Sequence, residues 1–580
     1  MHRKFLVGLM ALLGAAGGCV PATTVPAPVT SDVDRLIDSL PLRERIAQLV
    51  MPWIPGTYAP LDEPGFAQAR EWVDSLRVGG VIVSVGSPLD IAAKLNALQA
   101  ASRIPLLVAS DLESGTTIRL NGGTYFPPNM GVGAAGRELD AYQIGRITAL
   151  EGRAVGIHFA FAPAADVNNN PANPIINTRS FGEDPEAVAR LVAAAVRGIQ
   201  EHGMIATVKH FPGHGDTETD SHLALPVIAA DWARFDSVEL IPFRAAIDAG
   251  VHAVMSAHIA LPGIDPGQSR PATVAPNILT GLLRDSLGFR GLTVTDALNM
   301  GGVVSKYGAG EATVLAFLAG ADLLLMPVNA AEAIDAMQAA VASGRIPRER
   351  LDASVRRVLE WKKRLGLFAE RFVDLDSVMA TVGRAEFQGT SREIAERSIV
   401  LAADDGTVDS LRAAPRSLTL VSYADGARES IGASFAAELR ARGHTVTSVR
   451  LHAESGPTAF DSARAALGRS PFAVFAVAVR PVDRKGSIAI PPLMNALIDS
   501  SATLRPTTLV SFGSPYIVTE TPRVRSYLLG WAANPASERA AAHALSGAPI
   551  TGKLPISIPP VYRVGEGFER AATGRWREPR

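Results

Sequence analysis

The sequence predicts an α/β protein, a (β/α)8 TIM barrel followed by a smaller three-layer α/β sandwich domain. Three observations carry that prediction. Over residues 32–370, eight short apolar runs alternate with amphipathic stretches long enough for a helix each, the pattern of parallel βα units. Asp111, Asp166, Lys209-His210, His258 and Asp296 each come directly after one of those runs, and a barrel gathers the C-terminal ends of its strands around one mouth. Beyond residue 390 a second, shorter alternation of apolar runs and helical stretches begins. A doubly wound open sheet is the alternative for the first domain, and the grouping of polar strand ends favours the barrel. A chain of 580 residues, 47% hydrophobic and 19% charged, can bury the cores of both domains, which excludes a disordered or fibrous protein. Its net charge of −1, without a basic run, sets nucleic acid aside as a partner.

Taken in order, residues 1–19 begin with Arg3-Lys4, continue in an apolar run over 5–13 and reach Cys19 through small residues. That is the layout of an export signal, too short to span a membrane comfortably. Cys19 is the only cysteine, so no intramolecular disulfide can form, and Ala16-Gly-Gly-Cys19 resembles a bacterial lipoprotein box with Ala where Leu is usual. The expectation is an exported protein with lipid on Cys19, anchored to a membrane; ordinary signal-peptidase cleavage is the alternative. Val20 is not the Asp associated with inner-membrane retention, so the periplasmic face of the outer membrane is expected in a Gram-negative host. Residues 20–31, rich in Pro and Thr, read as a tether.

Barrel strands are expected at 49–53, 80–85, 105–110, 157–163, 205–208, 253–257, 292–295 and 321–325. A helical pattern over 356–368 closes that domain at Gly366, and 371–389 is expected as a linker. In the sandwich domain, 390–562, strands are expected at 399–402, 418–422, 445–449, 473–479 and 508–512, with helices near 428–442, 459–467, 491–500 and 536–546. Residues 563–580 are expected as a polar tail.

The chemistry concentrates in residues 209–225, KHFPGHGDTETDSHLAL, where Pro212, Gly213 and Gly215 stop regular structure after the apolar run 205–208. Lys209 and His210 then sit where strand becomes loop, and His214, Asp216, Glu218, Asp220 and His222 follow within one loop, a density that structure alone does not require. Asp296, in the stretch GLTVTDALNM, is a carboxylate at the mouth, placed to attack an electrophilic carbon such as a glycosidic C1. Hydrolysis with retention needs a second group about 5–5.5 Å away that protonates the leaving oxygen and later activates water. His222 suits that role, since an imidazole with a pKa of about 6.5 can donate and accept at neutral pH, and Asp220 can orient its ring. Two other readings stand beside it. Asp220-Ser221-His222 could be a turn whose Asp caps a helix, or His210, His214 and His222 with Asp216 or Asp220 could surround zinc. Lys209 beside such a metal, and the lack of a His-x-His pair on the first strand, weigh against zinc, and no metal or other cofactor is expected.

Lys209-His-Phe-Pro-Gly-His-Gly215 followed by Asp220-Ser-His222 resembles the signature of the β-N-acetylglucosaminidase, or β-hexosaminidase, branch of glycoside hydrolase family 3 in its two-domain form. The resemblance runs from about residue 42 to 368 and continues through Gly513-Ser-Pro-Tyr516, Asn534-Pro-Ala-Ser537 and Ile550-Thr-Gly-Lys-Leu-Pro555. It implies a retaining exo-β-N-acetylglucosaminidase acting on peptidoglycan fragments or chitooligosaccharides, with Asp296 as nucleophile, His222 as acid/base and Asp220 as its partner. It further implies that Lys209 and His210 bind sugar hydroxyls, that Arg179 contacts the substrate, and that Asp111 with Arg119 holds the nonreducing sugar. Asp111-Leu-Glu-Ser-Gly-Thr116 departs from the usual Asp-Gln-Glu-Gly-Gly-Arg, and Ala297 replaces a usual second carboxylate, which leaves the preferred aglycone open. Alternatives are a β-N-acetylglucosaminide or β-glucoside phosphorylase, a β-glucosidase of the same family, and an anchored glycan-binding protein without catalysis. A phosphorylase is reasonable because a neutral histidine repels phosphate less than a carboxylate does.

Overall fold

A computed structural model describes residues 31–577 apart from 61, 267–268, 427–430 and 482–487. Cys19, the expected signal and the tether up to residue 30 lie outside the described residues. Trp53–Pro55, Gly80–Ser84, Leu107–Ser110, Phe159–Ala160, Ile205–Phe211, Ala253–Ser256 and Leu292–Val294 form a seven-stranded parallel sheet in that order. Val50–Met51, just before Trp53–Pro55, pairs with Leu324–Leu325, and Val294 bridges in parallel to Leu323, so the eighth strand closes the ring. Helices cover its outside, and the strands Gly80–Ser84, Leu107–Ser110 and Ile205–Phe211 are buried at every residue, as a barrel wall between two apolar layers must be.

Each expected barrel strand contains strand, usually shorter than the apolar run. The fifth is the exception: Lys209 and His210, expected where strand becomes loop, lie within the longer strand Ile205–Phe211. Their backbone is engaged on both sides, Lys209 O accepting from Ala165 N at 2.6 Å and Phe211 O from Ala257 N at 2.8 Å. Because side chains alternate across a strand, the register defines one inward-facing set. Trp53 aligns with Ile82, Ile82 with Ala109, Ala109 with Phe159 and Phe159 with Ile205; Thr207 aligns with Ala253 and Ala253 with Leu292. Val294 with Leu323 and Met51 with Leu325 complete the circle. Followed toward the C-terminal ends, that same side carries Asp111, Lys209 and Asp296.

The second sheet has six strands in the order Val400–Ala403, Ser526–Leu529, Thr507–Ser511, Phe472–Ala478, Ser417–Ala424, Thr445–His452, parallel except for the first pair. Phe475 and Val477 enter one apolar cluster and Val474 and Ala476 another, so both faces are covered and the domain has three layers. Ser526–Leu529 was not among the expected strands. Its apolar part is only Tyr527-Leu528-Leu529, too short a run to stand out. Residues 371–389, expected as a linker, hold the helix Leu375–Thr381 and the start of Ala385–Ser398. They lie fixed against the barrel, with Asn96 exchanging two side-chain bonds with the Val373 backbone, 2.8 and 2.9 Å. The expected tail is likewise tied down through residue 577: Arg570 pairs with Asp409, and Trp576 packs edge-on to His543 at 5.0 Å.

Candidate active site

The fifth strand brings Lys209 to the mouth, with Nζ 2.9 Å from Asp111 Oδ1 and 2.7 Å from Glu113 Oε1. Glu113, nearly buried, also accepts both donors of the Arg179 fork, Nε at 2.9 Å and Nη2 at 2.7 Å. Arg119 Nη2 stands 3.4 Å from Asp111 Oδ2. Burial works against the charges of Asp111, Glu113, Arg179 and Lys209, yet opposite partners outweigh it. Arg179 and Lys209 hold Glu113 well below the usual carboxylate range, and Asp111 and Glu113 raise Lys209 above the usual lysine value. Those four groups are therefore held ionised throughout the neutral range.

His210 is set by Asp166, a fully buried carboxylate six residues beyond the fourth strand. Asp166 accepts from His210 Nδ1 at 2.8 Å, from His210 N at 3.1 Å and from His214 N at 2.8 Å. That leaves His210 Nε2 toward Arg179 Nη2 at 3.3 Å, where the guanidinium can only donate.

In the following loop, Asp220 Oδ1 accepts from both His222 N and His222 Nδ1 at 2.8 Å. Asp220 is buried and the His222 ring is 23% exposed, so the dyad fixes Nδ1 as the nitrogen held by the carboxylate and turns Nε2 the other way. His214 plays a different part. Its Nδ1 meets Thr217 Oγ1 at 2.9 Å and its Nε2 meets Ser221 Oγ at 3.1 Å, while burial pushes its pKa down to about 4. It is a neutral strut across the loop. The loop docks on the helix Gly301–Tyr307, through Gly301 N to His222 O at 3.3 Å and Gly302 N to Ser221 O at 3.2 Å.

Asp296 Oδ1 accepts from Ala297 N at 2.7 Å. Burial opposes its charge, but His258, His210, the Ala297 N–H and Lys209 together hold its pKa at about 2. His258 bonds Ala297 O through Nε2 at 2.9 Å and Thr273 Oγ1 through Nδ1 at 2.7 Å, which fixes the peptide that follows Asp296. Burial lowers the His258 pKa and Asp296 opposes that; His222 and His210 are also within its electrostatic reach. An ionised carboxylate without a proton to give, near a carboxylate-oriented imidazole, is equipped for nucleophilic attack with separate proton transfer.

The structure thus brings Asp111, Arg119, Arg179, Lys209 and His210 into one connected cluster, and places Asp220 with His222 in a loop docked on the helix after Asp296. The three histidines of the zinc alternative bond to different partners, and among the described residues no group of three or more His, Cys, Asp or Glu is arranged to hold a metal ion. Sequence reasoning did not assign roles to Glu113, Asp166 or His258. Asp166 and His258 were visible only as polar strand ends, and Glu113 only by its place two residues after Asp111.

Residues 41–361 match the glycosyl hydrolase family 3 N terminal domain. Over 502 residues the chain is 32% identical to a beta-N-acetylglucosaminidase/beta-glucosidase of Cellulomonas fimi, covering 83% of this chain and 88% of that protein. It is 34% identical over 295 residues to a beta-hexosaminidase of Neisseria meningitidis serogroup C, covering 48% of this chain and 80% of that one. A solved glycoside hydrolase family 3 beta-N-acetylglucosaminidase from Paenibacillus sp. str. FPU-7 superposes with a TM-score of 0.81 at 35% identity, over 90% of this chain and 99% of that chain. A beta-glucoside phosphorylase superposes with a TM-score of 0.81 at 26% identity, over 91% and 96%. With the matched stretch spanning every barrel residue of the site just described, and with likeness extending through the second domain, the chain belongs to glycosyl hydrolase family 3.

Proposed function

We propose that this glycoside hydrolase is a retaining exo-β-N-acetylglucosaminidase that removes terminal β-linked N-acetylglucosamine from peptidoglycan fragments or chitooligosaccharides. The observation that carries the reading is the Asp220–His222 dyad, at 2.8 Å, docked on the helix that follows an Asp296 held ionised. Asp111, Arg119, Lys209 and His210 bind hydroxyls of the terminal sugar, and Arg179 reaches the same site. Asp296 attacks C1 as the C1–O bond breaks, and the proton on His222 Nε2 passes to the leaving oxygen. Water then attacks C1 of the glycosyl ester, His222 takes its proton, and Asp296 leaves as carboxylate. Asp220 stabilises the imidazolium whenever His222 carries both protons. The choice of sugar is supported by the relatives named for N-acetylglucosamine and hexosamine.

Parallel assay of aryl β-glycosides of N-acetylglucosamine, glucose and xylose tests this. Turnover is expected to be fastest on the first, and preference for glucose would replace the reading with a β-glucosidase. Phosphorolysis is the second reading, favoured by the imidazole acid/base and by likeness to a solved beta-glucoside phosphorylase. A sugar 1-phosphate formed when inorganic phosphate is added would establish it. We also propose export and lipid attachment at Cys19, supported by the N-terminal sequence alone. Fractionation should find the wild type with outer membranes and an active Cys19→Ser enzyme in the soluble fraction or as precursor. A soluble wild type with a mature start other than Cys19 would remove the anchor.

A further inference from the structure

We infer that Trp53 is the surface on which the terminal sugar stacks, and that it selects pyranoses whose nucleophile-side face carries no axial hydroxyl. This rests on the glycosidase reading above and specifies the sugar further. Trp53 aligns with Ile82 and, through it, with Ala109, so it belongs to the inward-facing set that carries Asp111 and Asp296. The intervening residues of its strand face outward: Ile54 is buried, and a Cβ on Gly56 would lie 2.6 Å from Ile91 in the covering helix Pro88–Ala101. Trp53 is nevertheless 40% exposed, whereas its inward neighbours Ile82 and Leu325 are each 2% exposed. An indole facing into a barrel can be that exposed only through the mouth. Its backbone is fixed, because buried Lys94 donates to Pro55 O at 2.8 Å and Thr57 O at 2.5 Å.

The ring order places the strand of Trp53 two positions from that of Asp111 and two from that of Asp296, with the strand leading into the His222 loop opposite. A sugar held at one end by Asp111 and attacked at C1 by Asp296 therefore passes Trp53, on the side away from the acid. In a β-D-gluco pyranose the face approached by the nucleophile carries the axial hydrogens of C1, C3 and C5, an apolar surface suited to an aromatic face. Inversion at C3 puts an axial hydroxyl on that face, and inversion at C4 does not.

The test titrates wild type, Trp53→Phe and Trp53→Ala calorimetrically with N-acetylglucosamine, glucose and the C3 epimer of each, and measures KM and kcat on whichever aryl β-glycosides are cleaved. Trp53→Ala should raise Kd and KM about tenfold, more than it lowers kcat, and shrink the preference over the C3 epimers. Trp53→Phe should keep most of both. An alanine variant that binds and discriminates like wild type, or a phenylalanine variant that loses as much as alanine, would overturn the inference. Stacking behaviour as expected on glucose, without turnover of the N-acetylglucosaminide, would overturn the choice of substrate and leave the role of Trp53 standing. Failure of the wild type to bind any of these sugars would overturn both.

Discussion

In the proposed mechanism Asp296 and His222 divide the chemistry by charge, since the first is held as an anion far below neutrality and the second, oriented by Asp220, is assigned the proton transfers. Asp296→Asn should lower kcat/KM by several orders of magnitude with the fold intact, and a 2-fluoro sugar that traps the ester should label the peptide containing Asp296. Labelling elsewhere would reassign the nucleophile. His222→Ala should slow release of poor leaving groups far more than of activated aryl groups, because only the former need the proton, and Asp220→Ala should do so more weakly. Equal losses on both substrate types would make His222 a binding residue. Glu113 illustrates what could not be read from sequence. Aspartates after strands stand out by position, but a carboxylate that neutralises two cations, buried Lys209 and half-buried Arg179, has no local signature. Glu113→Gln should leave those cations under-compensated and cost about 3–5 kcal/mol of stability, measured by denaturant unfolding. An unchanged midpoint would mean that solvent already screens the cluster.

The His222 loop works as an element because a helix start backs it. A Cβ on Gly301 would stand 2.8 Å from Leu223 O and 3.0 Å from His222 O, and backbone atoms cannot yield as a flexible side chain would. Gly301→Ala should therefore push the loop from its seat and lower kcat about tenfold or more on unactivated substrates, sparing activated aryl glycosides as His222→Ala does. Full activity on both would show that the loop is held by its internal bonds alone. The eight barrel strands were legible because a buried parallel strand must be apolar throughout, and because a barrel sets its polar residues just beyond those runs. Less legible were elements whose order comes from tertiary contacts. Lys209 and His210 look like the place where strand becomes loop, yet backbone bonds to Ala165 and the salt links of Lys209 keep them in strand. The stretch 371–389 looks like a linker because its bonds to Asn96, Ser102 and Glu151 join residues far apart in sequence.

For the whole molecule, histidines held neutral by full or partial burial are expected to set the acid limit. Burial lowers His214, His252 and His444 from 6.5 to about 4, so between those values the unfolded chain binds more protons than the folded one. Their contribution is complete above about pH 6.5 and is lost as pH falls toward 4; Asp296, lowered from 3.8 to about 2, adds a further loss below that window. The thermal midpoint should fall steadily from pH 6.5 to 4, and a flat profile would contradict the buried neutral state. The second domain supports the site across a seam. Asn168 donates to Tyr516 Oη at 2.9 Å, Asn177 to Ser514 Oγ at 3.3 Å, and Glu183 accepts from Ser557 N and Oγ at 2.7 Å. Those barrel residues lie in the segment from Asp166 to Glu183, which also carries Arg179. The second domain thus holds in place the chain that positions His210 and Arg179, although no proposed catalytic group belongs to it. Tyr516→Phe strands the Asn168 amide in a largely buried place, a loss of about 1–3 kcal/mol. Part of that loss should appear as a raised KM with kcat little changed, because the segment carries residues proposed to bind sugar and leaves Asp296 and His222 untouched. The Ser557→Ala and Tyr516→Phe pair should raise KM further than either alone. If both variants lower the melting temperature and leave KM at the wild-type value, the seam stabilises the fold without shaping the sugar site.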